Sequence, residues 1–233
     1  LPPPLETMVF KSYACHTSPS LQNLSLTGCI ESSTFALRQF FRLALTMQPK
    51  GYILTGGKSS RFGGGDKALA RLGDQTLIQR SANLIGARCT NITLVASSAN
   101  QYSELPFPVI SDRTPQLGLL GGIDAALSHA GSDSWLFICP CDLSYVGKTW
   151  LGNLIENASP QSDAVVFQGE RYEPLFTLYH SRIHPLVEEH IRDKRLAPHH
   201  LFPKIKSVVL PLPVDWPAQP SFNTQESLEA FED

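Results

Sequence analysis

The chain has 233 residues, of which 42% are hydrophobic, so it is long enough to form one substantial domain with a packed core. Its formal net charge of −2 excludes the general positive field with which proteins bind duplex nucleic acid or anionic membranes. We therefore expect the partner to be a small anion rather than a nucleic acid or a membrane.

The cysteines indicate a reducing compartment, because they are odd in number and irregularly spaced. They are Cys15, Cys29, Cys89, Cys139 and Cys141. A Cys-Pro-Cys pair can hold a metal or carry redox chemistry, but Cys139 and Cys141 directly continue an apolar run, so we interpret them as small residues at a buried strand end. No apolar run reaches the roughly 18 residues of a membrane helix, and we expect a soluble, cytoplasmic protein.

The first 46 residues differ in composition from the rest of the chain. They open on "LPPPLETMVF" and continue through polar sequence without a clear period, whereas Met47 directly precedes the first convincing strand. We expect residues 1–46 to be a poorly ordered extension of uncertain origin and residues 47–233 to be the functional domain. Arg38 and Arg42 interrupt the apolar part and argue against a signal peptide, while a transit peptide remains an alternative.

From Lys50 onward, strand-like apolar runs alternate with helix-like ones. The strand-like runs are "GYILT", "NITLVAS", "FPVI", "WLFIC", "DAVVFQ", "PLFTLYH" and "KSVVLPL". The helix-like runs are "TLIQRSANLIGAR", "GIDAALSHA", "KTWLGNLIENA", "SRIHPLVEEHIRD" and "TQESLEAFE". This alternation predicts the α/β class, with a mostly parallel sheet covered on both faces and ligands at the carboxyl ends of the strands.

A glycine-rich segment follows the first strand-like run. Its Gly-Lys-Ser resembles the end of a P-loop, but that motif needs a glycine at the position of Tyr52, and a dinucleotide fingerprint would start too far beyond the strand. The adjacent Gly56 and Gly57 still allow backbone N–H groups to approach a nucleotide closely. Arg61 and Lys67 supply positive charge, so the segment predicts a site for a triphosphate.

This segment, "LTGGKSSRFGGGDKAL", resembles the signature of nucleotidyltransferases, and closely that of the molybdenum cofactor guanylyltransferases. The resemblance covers about residues 50–233 and continues in order through "VISD", "GLLGG", "FICPCDLSYV", "EPLFTLYH" and "FNTQESLEAF". It implies a Rossmann-like three-layer nucleotidyltransferase fold. It also implies transfer of GMP from GTP to the terminal phosphate of Mo-molybdopterin, with release of pyrophosphate.

The resemblance further implies a catalytic set of Lys67, Asp142 and Arg61, with Asp142 as the ligand of Mg²⁺. Lys67 would neutralise charge on the departing pyrophosphate, and Arg61 would bind phosphate of the nucleotide or of the pterin. From the residues alone, a solvated lysine and a helix N-cap remain alternatives for Lys67 and Asp142. The implied GTP-binding residues are Leu54, Thr55, Gly56, Gly57, Lys67, Asp112 and Asp142.

The implied pterin-binding residues are Arg61, Gly121, Gly122 and Asn223. Gly121 and Gly122 open a helix whose N-terminus could bind a phosphate, although a simple tight turn is the alternative. The chain departs from the family pattern at two asparagines, which are replaced by Ser221 and Ala96. Serine lacks the paired donor and acceptor of the amide, so the contacts at these two positions differ from those of the family.

Three other functions remain open. The cytidylyltransferases acting on the same pterin tend to have Ala-Ala-Gly where this chain has Thr55-Gly56-Gly57. The nucleotide-sugar pyrophosphorylases usually end the loop in Pro-Lys rather than Asp66-Lys67. A nucleotide-binding regulatory module would not need Lys67 and Asp142 together.

The expected cofactor is Mg²⁺, and the expected partners are GTP and molybdopterin. Transient contacts with cofactor-delivering proteins and molybdoenzyme chaperones are further expectations from the resemblance. His199 and His200 have no additional ligand at a useful spacing, so we interpret them as surface residues.

Overall fold

The computed structural model describes residues 47–56, 65–114 and 117–231, so the predicted extension lies outside the described residues. The strands are β1 (Lys50–Leu54), β2 (Arg71–Leu72), β3 (Gln75–Thr76), β4 (Thr90–Ala96), β5 (Val109–Ser111), β6 (Trp135–Pro140), β7 (Ala164–Gln168), β8 (Tyr172–His180) and β9 (Ser207–Pro211). Within the described ranges, seven strands form one sheet in the order β5-β4-β1-β6-β8-β7-β9. Only β8 runs antiparallel to its neighbours there, so the predicted mostly parallel sheet is confirmed.

Four of the five described α-helices lie between these strands, as the alternating pattern predicts, and the fifth follows the last strand. They are α1 (Leu77–Gly86), α2 (Leu119–Ala130), α3 (Trp150–Glu156), α4 (His184–Arg192) and α5 (Gln225–Glu229). α1 begins with a capping box, because the Thr76 side chain accepts from the Gln79 backbone N–H and the Gln79 side chain accepts from the Thr76 N–H. None of the described helices is both long and apolar enough to cross a bilayer.

The sheet has an apolar core on each face because successive residues of its central strands point in opposite directions. Ile53 of β1 and Phe137 of β6 belong to the core that also includes residues of α1 and α3. Tyr52 and Ile138 belong to the second core, with residues of α2 and α4. Both strands are buried on both faces, which explains why they read as continuous apolar runs. The result is the expected three-layer α/β fold.

The strand order brings two distant segments of the chain to one edge of the sheet. β1 lies between β4 and β6 and is parallel to both, with Leu54 aligned with Val95 and Pro140. The chain proceeds from β1 to β4 and β5 on one side and then returns to β6 on the other side. Such a reversal opens a crevice at the carboxyl ends of the strands, where α/β proteins bind ligands.

The sequence interpretation did not include a short hairpin, β2–β3, next to this edge. Its turn contains Gly73 with φ of 61°, a left-handed conformation that glycine adopts without steric cost. Each strand has two residues, too few to produce a periodic pattern, so only the Gly-Asp pair at the turn indicated it.

Candidate active site

The carboxyl ends of β1 and β6 lie side by side. The backbone N–H of Cys141 donates to the carbonyl of Leu54 at 3.1 Å, and Asp142 is the next residue. Asp142 therefore leaves the sheet where the glycine-rich segment begins. No described atom lies within 4 Å of the position that a Cβ on Gly56 would take. Among the described residues, the space beside Gly56 is therefore open.

Thr55 holds the end of β1 against β4. Its backbone N–H and its hydroxyl both donate to the Val95 carbonyl, each at 2.9 Å. The remaining predicted residues of this loop, Gly57 and Arg61, lie outside the described residues. The described part of the loop thus consists of its two ends, at residues 55–56 and from residue 65 onward.

Lys67 and Asp142 form an ion pair at this edge. The Lys67 Nζ donates to Asp142 Oδ2, and the two side chains are only 19% and 14% exposed. They are 75 residues apart in sequence, and the reversal of strand order is what brings them together. A lysine and a carboxylate in a crevice can respectively bind phosphate oxygens and a hard cation. The Lys67 side chain is thus mostly buried and paired, which favours the predicted role over a solvated lysine.

The residue before Lys67 fixes the local backbone. Asp66 is the N-cap of a short 3₁₀ helix, Lys67–Leu69, and its Oδ1 accepts from the Ala68 N–H at 3.0 Å. Its Oδ2 accepts from the Gln101 amide at 2.9 Å and from the Tyr102 hydroxyl at 2.8 Å. Sequence reasoning named neither Gln101 nor Tyr102, because no motif marks a loop residue that contacts a carboxylate elsewhere in the chain.

Arg80 of α1 holds the segment that follows Asp142. Its two terminal nitrogens donate to the carbonyls of Leu143 and Ser144, the latter at 2.6 Å. Burial lowers the pKa of Arg80, although the guanidinium remains a cation because its ordinary pKa is so high. Arg80 was also missed from sequence, since an arginine in an amphipathic helix usually faces solvent.

The C-terminal segment lies alongside the same stretch. The Phe222 N–H donates to the Asp142 carbonyl at 2.9 Å, and Leu143 and Ser221 form an antiparallel bridge. Asn223, which follows Phe222, is exposed. Asn223 is therefore the next residue after Phe222, whose backbone N–H forms the hydrogen bond to Asp142. This places Asn223 next to the candidate site.

The start of α2 packs directly on the end of β1. A Cβ on Gly122 would lie 3.3 Å from both methyl carbons of Leu54, and one on Gly121 would lie 3.8 Å from the Asp112 carboxyl carbon. Both glycines are buried. An added Cβ on Gly122 against Leu54, or on Gly121 at 3.0 Å from the Leu117 Cβ, would be tighter than an ordinary contact, so these neighbours would have to shift. Burial raises the pKa of Asp112, and the nearby Asp124 raises it further.

Asp124, His184 and Glu188 form another group that could hold a metal ion, since their ligand atoms lie within 4.8 Å of one another. A protein cation already pairs with it: Arg113 Nη1 lies 3.2 Å from Glu188 and 3.6 Å from Asp124. A histidine nitrogen is also a poor ligand for Mg²⁺, which prefers oxygen. Asp142 is the better fit for a hard cation that also binds phosphate oxygens.

The cysteines near the end of β6 and the pair His199 and His200 lie in the environments that the sequence predicts. Cys139 and Cys141 are buried at the end of β6, and burial raises the pKa of both thiols, so they are small strand-end residues, as predicted. His199 and His200 are exposed, which confirms their interpretation as surface residues.

The fold and the groups at its carboxyl edge define the class: an α/β nucleotidyltransferase, with a lysine and a carboxylate beside a glycine-rich loop. A family model described as the MobA-like NTP transferase domain matches residues 51–205, which is more than half of the chain. The chain belongs to this family.

Curated relatives are similar over most of the domain. The molybdenum cofactor guanylyltransferase of Vibrio cholerae is 38% identical over 146 residues, which cover 60% of this chain and 71% of that protein. The protein of the same name from Photobacterium profundum is 30% identical over 185 residues, covering 77% and 93%. The molybdopterin-guanine dinucleotide biosynthesis protein A from Archaeoglobus fulgidus has the same fold, with a TM-score of 0.67 at 22% identity over 78% of this chain and 96% of that one.

Proposed function

We propose that the chain transfers GMP from GTP to the terminal phosphate of Mo-molybdopterin, which forms molybdopterin guanine dinucleotide and pyrophosphate. The names of the similar relatives support this reaction. The observation that carries it is the pairing of Lys67 with Asp142 at the adjoining ends of β1 and β6. A nucleoside triphosphate bound at this edge would reach both groups.

The reaction joins two anions. An oxygen of the pterin phosphate attacks the α-phosphorus of GTP and forms a new P–O bond. The bond from the α-phosphorus to the oxygen that bridges to the β-phosphorus breaks, and its electron pair leaves with pyrophosphate. No protein nucleophile is required, so the catalyst must chiefly neutralise charge and hold the reactants in line.

Asp142 would hold the divalent cation, which we propose to be Mg²⁺. Its donor chemistry fits, because Mg²⁺ in such sites typically takes one or two carboxylates, water and substrate phosphates. When bound, the ion would neutralise and orient triphosphate oxygens. Lys67 pairs with Asp142, and we expect its amine to bind the β- and γ-phosphates of the bound nucleotide.

The other contacts follow the edge of the sheet. Leu54, Thr55, Gly56, Gly57 and Asp112 would bind the nucleotide, while Arg61, Gly121, Gly122 and Asn223 would bind the pterin phosphate and ring. The cytoplasmic location and the transient contacts with cofactor-delivering proteins and molybdoenzyme chaperones stay predictions.

A nucleotide panel tests the proposal. Purified protein, Mg²⁺ and molybdopterin or its molybdenum form are combined with GTP, CTP, ATP or UTP, and pyrophosphate is measured. We expect release from GTP only with the acceptor present, loss of turnover with a chelator, and recovery with added Mg²⁺. Equal turnover of CTP would indicate a cytidylyltransferase, and turnover with a sugar phosphate would indicate a pyrophosphorylase. Nucleotide binding without turnover would indicate a regulatory module.

A further inference from the structure

The described hydrogen bonds to the Asp66 carboxylate come from uncharged donors. Its Oδ1 accepts from the Ala68 N–H at 3.0 Å, and its Oδ2 accepts from the Gln101 amide at 2.9 Å and the Tyr102 hydroxyl at 2.8 Å. Gln101 also donates to the Tyr102 hydroxyl at 2.9 Å. Asp66 is thus held by a network from the loop after β4, 36 residues further along the chain.

Tyr102 is held in an unusual way for a loop residue. Its φ is 64°, a left-handed conformation that is strained for a bulky side chain, and its side chain is buried. Burial raises the pKa of Tyr102, and the hydrogen bond to Asp66 raises it further, so the hydroxyl stays protonated and able to donate. The Leu105 N–H donates to the Tyr102 carbonyl at 2.9 Å and helps to fix this backbone.

The position of this network connects it to the site. Asp66 directly precedes Lys67 at the C-terminal end of the glycine-rich segment, and Tyr102 lies in the loop after β4. Tyr102 therefore joins the loop after β4 to the end of the glycine-rich segment that carries Lys67. A carboxylate next to Lys67 would be a competing partner for the lysine amine if its oxygens were not already engaged.

We propose that Tyr102, supported by Gln101, is a positioning residue that holds Asp66 on the Ala68 side and so directs the Lys67 amine to Asp142 and the triphosphate. This inference rests on the proposed function, in which Lys67 binds the β- and γ-phosphates. Tyr102 acts through Asp66 and does not itself contact the reacting atoms.

The first test removes the hydroxyl group from each of two buried tyrosines, in two separate variants. Removing a hydrogen bond to a charged group typically weakens a site by roughly tenfold or more, so Tyr102→Phe should lower kcat/KM for GTP by about that factor. The KM for the pterin should stay within about twofold, because Lys67 does not bind the pterin. Tyr52→Phe is the matched control: Tyr52 is also buried, with its hydroxyl 2.9 Å from His129 Nδ1, and it should keep wild-type kinetics.

A double-mutant cycle separates positioning from general destabilisation. The dissociation constant of GTP with Mg²⁺ is measured for Tyr102→Phe, Lys67→Gln and the double variant, which requires no acceptor. Tyr102→Phe should weaken GTP binding in the wild-type background and have no further effect when Lys67 is absent. The same factor in both backgrounds would overturn the proposal.

A third measurement keeps this proposal distinguishable from the reaction itself. Hydrogen exchange of the Ala68 amide, whose N–H donates to Asp66, needs neither substrate. It should accelerate in Tyr102→Phe and remain unchanged in Tyr52→Phe. If wild-type protein failed to use GTP with the pterin, the proposed function would fail while the exchange result would still support or refute the network. Unchanged exchange in Tyr102→Phe would refute it.

Discussion

Replacing Asp142 by asparagine tests the candidate site most directly. Asparagine has nearly the same shape, and its carbonyl oxygen can still accept from the Lys67 Nζ. It lacks the negative charge that pairs with lysine and that would hold a divalent cation. We therefore expect a large loss of activity and a small loss of stability.

The structure sets the size of both effects. The side chains of the pair are 19% and 14% exposed, between exposed pairs worth at most about 1 kcal/mol and fully buried pairs whose disruption costs about 3–5 kcal/mol. Because a hydrogen bond can remain, the charge loss should cost about 1 kcal/mol, or roughly 3 °C in Tm for a domain of this size. Turnover should fall by roughly 10²–10³, the effect of removing one electrostatic stabiliser of a transition state.

The assay is pyrophosphate release with saturating GTP, pterin and Mg²⁺, together with thermal unfolding. Asp163→Asn is the matched control, because Asp163 is 17% exposed and lies 3.7 Å from the cation of Arg182, but precedes β7 at the opposite edge of the sheet. Near-normal turnover of Asp142→Asn, or an equal loss in the control, would refute the proposed role of Asp142.

Three further predictions concern other parts of the chain. Gly147→Ala should destabilise the protein by about 2 kcal/mol, because its Cβ would overlap the buried indole of Trp150. The control Gly86→Ala would make only an ordinary contact and should not destabilise the protein. The free energies of unfolding of the two variants are compared by urea unfolding. Burial lowers the pKa of His190 from 6.5, so the unfolded state binds more protons below that pH and Tm should fall from pH 7 to 5. His190→Leu should flatten this slope, and an unaltered slope would assign the pH effect to other groups. Deletion of residues 1–46 should leave turnover and Tm little changed, and a large loss of either would contradict the predicted domain boundary.

Much of the central sheet could be predicted because its strands are buried on both faces. β1 and β6 read as apolar runs with a sharp change to polar or glycine-rich sequence where each strand ends. Since parallel strands end at the same edge, the meeting of Lys67 and Asp142 could be predicted from the resemblance together with the strand pattern. The pairing in the structure confirms that these two residues share one edge.

The supporting residues could not be predicted in the same way. Arg80 reaches carbonyls 63 and 64 residues further along the chain, and Tyr102 reaches a carboxylate 36 residues before it. Neither contact leaves a periodic or spaced pattern, because it depends on how a loop and a helix pack on the sheet. The hairpin β2–β3 was missed for a different reason, since two residues per strand are too few for a period.

The amino-acid sequence by itself determined the class of fold, the order of its strands along the chain and the residue types available for phosphate and metal chemistry. Those properties depend on local periodicity, glycine placement and family signatures, which are all readable along one dimension. Only the tertiary structure decided which strands are neighbours, that α2 packs on Leu54 through glycine, and that Asp66 is held by Tyr102. These are contacts between distant segments, and their energies depend on burial and distance, which exist only once the chain has folded.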